Sequence, residues 1–308
     1  MRYLLALLLF ASAAFADCPA PIPPQRDIIA DSYYDDPPVY SHIDPVRHAA
    51  YETAVKPLES YLRNVVAMAS RGDTQCTLRW LVAWAEGDAM LGKIEKEQAH
   101  YERKWMLAGL ATGYAKVRDA ATGDQRAAID TWLQAIADGV RAHSEHYKGK
   151  RNNHLYWEGL AVGATGAVTG NKADLDWGRR VFDFAMSQIQ DDGSLPFEMA
   201  RGSRALHYHL FAAAPLIALE SILDRPSPKL DKLVALCLAG LKDPQFLAAR
   251  AGVAQIGVNA DDADWLVIYA RRHPSAEIAS YLASRKPHQY RLGGDLSTAN
   301  PLEHPLTR

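Results

Sequence analysis

The feature that most constrains this chain is a rhythm. After an opening arm, apolar residues return at helical spacing, and short Gly, Asp or Pro breaks interrupt them. In "KPLESYLRNVVAMASRGD" the stripe is Leu58, Leu62, Val65, Val66 and Ala69. In "DLDWGRRVFDFAMSQIQ" it is Leu175, Phe182, Ala185, Met186 and Ile189. The pattern recurs to the C-terminus, giving about ten helices, and no segment reads convincingly as a strand. That is too many helices for one four-helix core. Faces rich in Ala and Gly, as in "GLAVGATGAVTG", let helix axes approach closely. The expected fold is all-α: an α/α toroid, or incomplete α/α barrel, of antiparallel helix pairs. No sharp repeat is visible, which argues against a regular solenoid.

The first residues read as an export leader. Arg2 precedes the apolar run "LLALLLFASAA", and Ala14-Phe15-Ala16 supplies a small-x-small cleavage pattern. The predicted organisation is a signal peptide over 1–16 and a single domain over 17–308, with residues 17–56 forming an N-terminal arm and lid. No later run reaches the ~18 apolar residues that span a bilayer. The expected location is therefore the periplasm, with secretion as the alternative, and no membrane attachment after cleavage. An oxidising compartment permits disulfides. Cys237 sits in the apolar run "KLVALCLAG" and reads as a buried small hydrophobe, which leaves Cys18 and Cys76 as the expected pair. The arm "CPAPIPPQRDIIADSYYDDPPVY" is extended, because proline removes backbone donors and disfavours helix before it.

The formal net charge is −2, so a polyanion would have to be held by a local basic cleft. Nothing indicates a nucleic-acid partner. Two polar clusters break the helical rhythm: "RNNHLYWEG" at 151–159 and "ARGSRALHYH" at 200–209. In the second, Arg201, Arg204 and Tyr208 stand at i, i+3 and i+7. If helical, they share a face. Two guanidinium groups beside one phenol favour the phenolate and lower its pKa, so Tyr208 could move a proton. His207 and His209 lie two apart and point different ways on a helix. No HExxH or cysteine spacing supports zinc, and neither metal nor cofactor is expected. Asp191, Asp192, Glu198 and Glu158 are the carboxylates a glycosidase would need, but "DDGSLP" reads more simply as a turn. The run "HYKGKR", with Lys148, Lys150 and Arg151, is either a solvated loop or the basic lip of an anion cleft.

"NNHLYW" and "LPFEMARGSRALHYH" resemble the two signature blocks of the alginate lyases of polysaccharide lyase family 5. "QCTLRWLVAWA", "RKWMLAGLATGYAKV" and "LKDPQFLAARAGVAQ" are similar to that family in order and position. The resemblance implies an α/α toroid acting on an anionic uronic-acid polysaccharide by β-elimination. It places Asn153, His154, Arg201 and Tyr208 on the family's catalytic positions. A base takes the C5 proton and the C4 oxygen departs. Asn153 and Arg201 would neutralise the enolate, His154 would donate or act as base, and Tyr208 would serve as base and then acid. Trp157, Tyr101, His207 and Arg204 are the expected sugar-binding residues.

The expected activity is metal-independent syn cleavage of poly-β-D-mannuronate by a monomer. Two rivals remain: the same chemistry on glucuronan or hyaluronan, and a non-catalytic periplasmic polysaccharide-binding protein.

Overall fold

The computed structural model describes residues 18–37 and 39–304. The predicted leader lies outside the described residues. Among the described residues twelve α-helices follow one another: α1 Pro45–Ser70, α2 Thr74–Glu86, α3 Glu97–Ala115, α4 Gly123–His146, α5 Asn153–Thr169, α6 Lys172–Gln188, α7 Pro196–Met199, α8 Ala205–Leu223, α9 Pro228–Lys242, α10 Gln245–Ala251, α11 Leu266–Arg272 and α12 Ala276–Leu282. Strands there contribute only two-residue pairs. β1 Ile28–Ile29 runs parallel to β2 Ile94–Glu95, and β3 His288–Gln289 runs antiparallel to β4 Gly294–Asp295.

Helices alternate between two layers. α1, α3, α5, α8 and α11 touch in sequence to form the inner layer, while α2, α4, α6 and α9 back them. This is the α/α toroid that the rhythm predicts. The inner helices α3, α5 and α8 are buried around almost their whole circumference, as expected of a helix without a polar face. The stretch Gly202–Leu223 is long and apolar enough to span a bilayer by composition. Here it is the central core helix, packed against α5, α6 and α9. Close approach is clearest where α5 meets α6. A Cβ on Gly178 would stand 2.8 Å from Gly163 Cα and 3.0 Å from the Gly159 carbonyl oxygen, so backbone lies on backbone. The α6 stripe also includes Trp177 and Val181, both buried, whereas Leu175 and Met186 are only half-buried.

Local chemistry sets the helix ends. Asp44 accepts the Val46 and Arg47 N–H groups at 2.9 Å each, and Pro45 opens α1; an acceptor at the cap and proline in the first turn are both favoured. Residues 45–47 are therefore helix, and the covering segment ends earlier than a lid over 17–56 would. Thr122 and Gln125 form a capping box on α4.

The arm is tied down along its length. Cys18 and Cys76 are disulfide-bonded, and Cys237 is a buried free thiol. The indole N–H groups of Trp80 and Trp84 donate to the Pro19 and Ile22 carbonyls at 3.0 and 2.7 Å. Ile28 is fully buried beside β2. From there residues 31–37 and 39–40 run across the mouth of the toroid. On the opposite side, the β3–β4 turn places Tyr290–Leu292 against α3.

Candidate active site

A cavity of about 420 Å³ opens at the mouth of the toroid, beneath the arm. The arm supplies Tyr33, Tyr34 and Tyr40. Helix α3 supplies Tyr101 and Trp105, the start of α5 gives His154, and the α7–α8 segment gives Arg201, Arg204, His207, Tyr208 and Phe211. The C-terminal turn adds Arg291.

Helix α5 begins inside the first polar cluster. Asn152 Oδ1 accepts the His154 N–H at 3.1 Å, which caps the helix and sets His154 in its first turn. The imidazole stacks on the Tyr101 ring with centroids 3.7 Å apart. Its Nδ1 is buried without a hydrogen-bond partner. Burial first, then the charges of Lys104 and Arg201, holds it well below the ordinary 6.5. At pH 7 His154 is neutral and able to accept a proton.

The second cluster reaches its geometry by an unexpected backbone. Residues 202–204 form a 3-10 turn, Gly202 has φ +57°, and α8 starts only at Ala205. The left-handed Gly202 is what glycine permits at low cost. Both guanidinium groups still converge on the same phenol. Arg201 Cζ lies 4.3 Å and Arg204 Cζ 5.4 Å from the Tyr208 ring centroid. Arg201 also lies 4.8 Å from the Tyr40 ring. Arg204 donates to the Tyr34 hydroxyl at 3.1 Å and to the Tyr40 carbonyl.

The expected lowering of the Tyr208 pKa is overturned. Burial pushes the phenol up to about 12, although Arg201 and Arg204 pull it down as anticipated. The desolvation cost of a phenolate in the covered cleft outweighs the two cations. Tyr208 is thus a neutral donor at pH 7.

Four other expected residues divide unevenly. Tyr101 lines the cavity, and His207 does so with its Nδ1 3.3 Å from Asp262 Oδ2. Asn153 is fully buried behind the wall. Trp157 must be corrected. Its indole is fully buried, with its ring centroid 5.2 Å from that of Phe211, and offers no face to a sugar. The aromatic surface falls to Tyr101, Trp105 and the arm tyrosines instead.

The remaining polar residues also find their places. His209 accepts the Leu195 N–H at its Nε2 (3.0 Å), so the proton sits on Nδ1, which donates to the Ala205 carbonyl at 2.7 Å. It staples the loop before α7 to the start of α8. Arg151 is spent on Ser144 and the Tyr147 carbonyl at the end of α4. Asp191 pairs with Lys229 and Lys232, and Asp192 bonds Ser194, both outside the cavity. Glu158 is locked to Lys104. None of these is a free acid across a cleft.

Sequence reasoning missed Arg291, Trp105, Tyr33 and Tyr34 as parts of this region, and weighed Glu198 only as a glycosidase carboxylate. Arg291 stands 4.3 Å over the Trp105 ring. "PHQYRLGG" carries no motif that announces it. The doublet Tyr33–Tyr34 was visible in an otherwise proline-rich arm.

The mouth of the toroid gathers guanidinium groups, aromatic faces, a neutral imidazole and a phenol, groups that suit an anionic sugar chain. The chain belongs to the alginate lyase family, whose model matches residues 29–243. It is 41% identical to a polysaccharide lyase of Stenotrophomonas maltophilia, over 96% of this chain and 94% of that one. It is 32% identical to an alginate lyase of Azotobacter vinelandii, over 80% of this chain and 74% of the relative. In fold it is similar to alginate lyase A1-III in complex with a tetrasaccharide: TM-score 0.76, 22% identity, 94% of this chain and 86% of that one. The structure of alginate lyase A1-III from Sphingomonas species A1 gives TM-score 0.72 at 22% identity, over 93% and 86% of the two chains.

Proposed function

We propose that the protein cleaves poly-β-D-mannuronate by syn β-elimination, with Tyr208 moving the proton. The observation that carries this reading is the convergence of Arg201 and Arg204 on the Tyr208 ring, in the cavity that His154 also lines. In mannuronate the C5 hydrogen and the C4 oxygen lie on one face of the ring. A single group on that face can take the first proton and return it. The deprotonated phenol takes the C5 proton, the C4–C5 double bond forms, and the C4–O bond breaks. The departing oxygen takes the proton back from the phenol. Charge that builds on the substrate carboxylate meets Arg201 at the cavity, with the Asn153 amide fixed directly behind that wall before the substrate arrives. His154, neutral and stacked on Tyr101, donates to the same carboxylate.

The resting phenol is ready as the acid. Its work as base requires prior loss of its own proton to solvent, which the two arginines favour and burial opposes. Glucuronate differs from mannuronate at C2 and keeps the same C5–C4 relation, so glucuronan and hyaluronan share the test. The protein is incubated with polymannuronate, polyguluronate, glucuronan and hyaluronan, and near-UV absorbance is followed. Elimination creates a conjugated C4–C5 double bond; hydrolysis and simple binding do not. Fastest growth on polymannuronate is expected. Absorbance that stays flat on all four polymers would remove the reading.

The protein works in the periplasm after loss of residues 1–16. The Cys18–Cys76 bond supports this, since such bonds persist in oxidising compartments. N-terminal sequencing of the periplasmic fraction is expected to begin at Asp17.

A further inference from the structure

Glu198 stands where the two polar clusters meet. It lies on the four-residue α7, three residues before Arg201, and is fully buried. Its Oε1 accepts the backbone N–H of Asn153 at 2.8 Å, and its Oε2 accepts the Asn153 side-chain Nδ2–H at 2.9 Å. The same Oε2 lies 3.8 Å from Arg201 Nε. One carboxylate thus ties the first turn of α5, the Asn153 amide and the base of the Arg201 guanidinium. Asn153 Oδ1 is buried with no partner, so the amide is held by its nitrogen edge alone. Turning it over would set oxygen against oxygen. Glu198 does not line the cavity, and both its oxygens are engaged by Asn153.

We propose that Glu198 is a positioning residue of the lyase reaction: by taking one N–H of the Asn153 amide it fixes the direction of the second N–H, which serves the developing enolate, and it anchors Arg201 beside it. The proposal rests on the reading of Asn153 and Arg201 given above. Preorganised donors act only if they need not turn during the reaction, and an acceptor-only carboxylate with both oxygens engaged prevents that turning. Glutamine at this position has nearly the same size but replaces one acceptor with a donor. The backbone N–H of Asn153 cannot move out of the way, so the glutamine oxygen must take it. The glutamine NH₂ then faces the Asn153 side chain, which can answer only by turning over to present Oδ1. The amide is reversed while the packing is kept.

The test compares the parent, Glu198→Gln, Asn153→Ala and the double variant on the uronate polymer that the parent cleaves fastest. Glu198→Gln is expected to lose at least ~10-fold in kcat, with KM within about threefold of the parent, because a transition-state donor is misdirected rather than a subsite removed. The double variant is expected to be no slower than Asn153→Ala by more than about twofold, since both changes act on one group. Helical circular dichroism should be unchanged, and the Asn153 side-chain amide resonances should move in a ¹⁵N-resolved NMR spectrum of Glu198→Gln. A kcat for Glu198→Gln within about twofold of the parent, or losses that multiply in the double variant, overturns the proposal. Should Glu198→Gln not fold, Glu198→Asp keeps the charge but draws the oxygens back by one carbon; a kcat-specific loss supports the proposal and parental kcat overturns it. If the parent cleaves no uronate polymer, the lyase reading fails on its own, and the NMR arm still decides: Asn153 amide resonances that do not respond to Glu198→Gln refute the positioning role.

Discussion

Lys104 and Glu158 form an ion pair 3.1 Å long, with only 1% and 7% of their side chains exposed. Glu158 lies one helical turn beyond His154 on α5. The Lys104 ammonium sits 4.4 Å from the centroid of the Tyr101 ring, the same ring on which His154 stacks. Removing one partner strands a charge in the core. Glu158→Gln is expected to cost about 3–5 kcal/mol in denaturant unfolding, and Lys104→Met/Glu158→Leu should recover most of it. The double variant also isolates the effect on chemistry. Lys104 helps to hold the His154 imidazole below its ordinary pKa, so its loss raises that pKa. Activity that needs neutral His154 should then fade at a higher pH, moving the acid limb of kcat/KM upward. An acid limb that stays in place would show that His154 does not feel this charge.

His209 predicts how acid disables the fold. Burial pushes its pKa down from 6.5 to about 4. In the unfolded chain it takes a proton below about 6.5, whereas in the folded protein it resists until about 4. The stability it contributes is therefore full above pH 6.5 and declines as pH falls toward 4, by up to ~1.4 kcal/mol per unit. Protonation also removes the lone pair that accepts the Leu195 N–H. His209→Gln should reduce the slope of stability against pH in that window, measured by chemical unfolding at several pH values. A slope equal to the parent's would place the acid sensitivity elsewhere.

The helical rhythm exposed the toroid because outer helices must alternate apolar and polar faces to sit between core and water. The inner helices were legible for the opposite reason, being apolar or small almost all round. Arg201, Arg204 and Tyr208 were grouped by a spacing that assumed an α-helix. The grouping is present although a 3-10 turn makes it, because a glycine at 202 brings the first arginine back to the phenol. The sign of the Tyr208 shift was not legible. It depends on how far the arm buries the phenol, and the arm comes from residues distant in sequence. Trp157 was misplaced because both faces of α5 are packed, so a tryptophan near a polar cluster need not point at the cleft. Glu198 was weighed only as a candidate acid, since nothing in a linear pattern shows that it meets Asn153.

The arm should act as a tethered cover. The Cys18–Cys76 bond closes a loop with a sequence separation of 58 residues, and such a crosslink contributes about 2–4 kcal/mol. Cys18→Ser/Cys76→Ser is expected to lower stability by that order while retaining the helical signal. Because Tyr34 and Tyr40 reach Arg204 across the cavity, loosening the arm should raise KM more than it lowers kcat. Steady-state kinetics of the double serine variant distinguish the two. A KM equal to the parent's would show that Tyr34 and Tyr40 hold their place without the bridge.

Tyr208 provides the sharpest test of the chemistry. Its phenol lies between the cationic pull of Arg201 and Arg204 and the stronger opposing effect of burial, which leaves its pKa at about 12. If the phenolate takes the C5 proton, the reactive fraction grows about tenfold for each pH unit below that pKa, so kcat should rise from neutral toward alkaline pH until another step limits it or the fold fails. Tyr208→Phe keeps the ring and its contacts with both guanidinium groups and deletes only the hydroxyl. Its kcat is expected to fall by ~10²–10⁴-fold, the usual loss for a positioned proton-transfer group. The alkaline rise should vanish with it. Polymer binding should persist, because the cations and aromatic faces of the cleft are untouched. Arg201→Ala should be impaired as severely, and its loss should not multiply with that of Tyr208→Phe, since both act on one transition state. A folded Tyr208→Phe variant within a few-fold of the parental rate, with the same dependence on pH, would reduce Tyr208 to a packing aromatic and leave neutral His154 as the base.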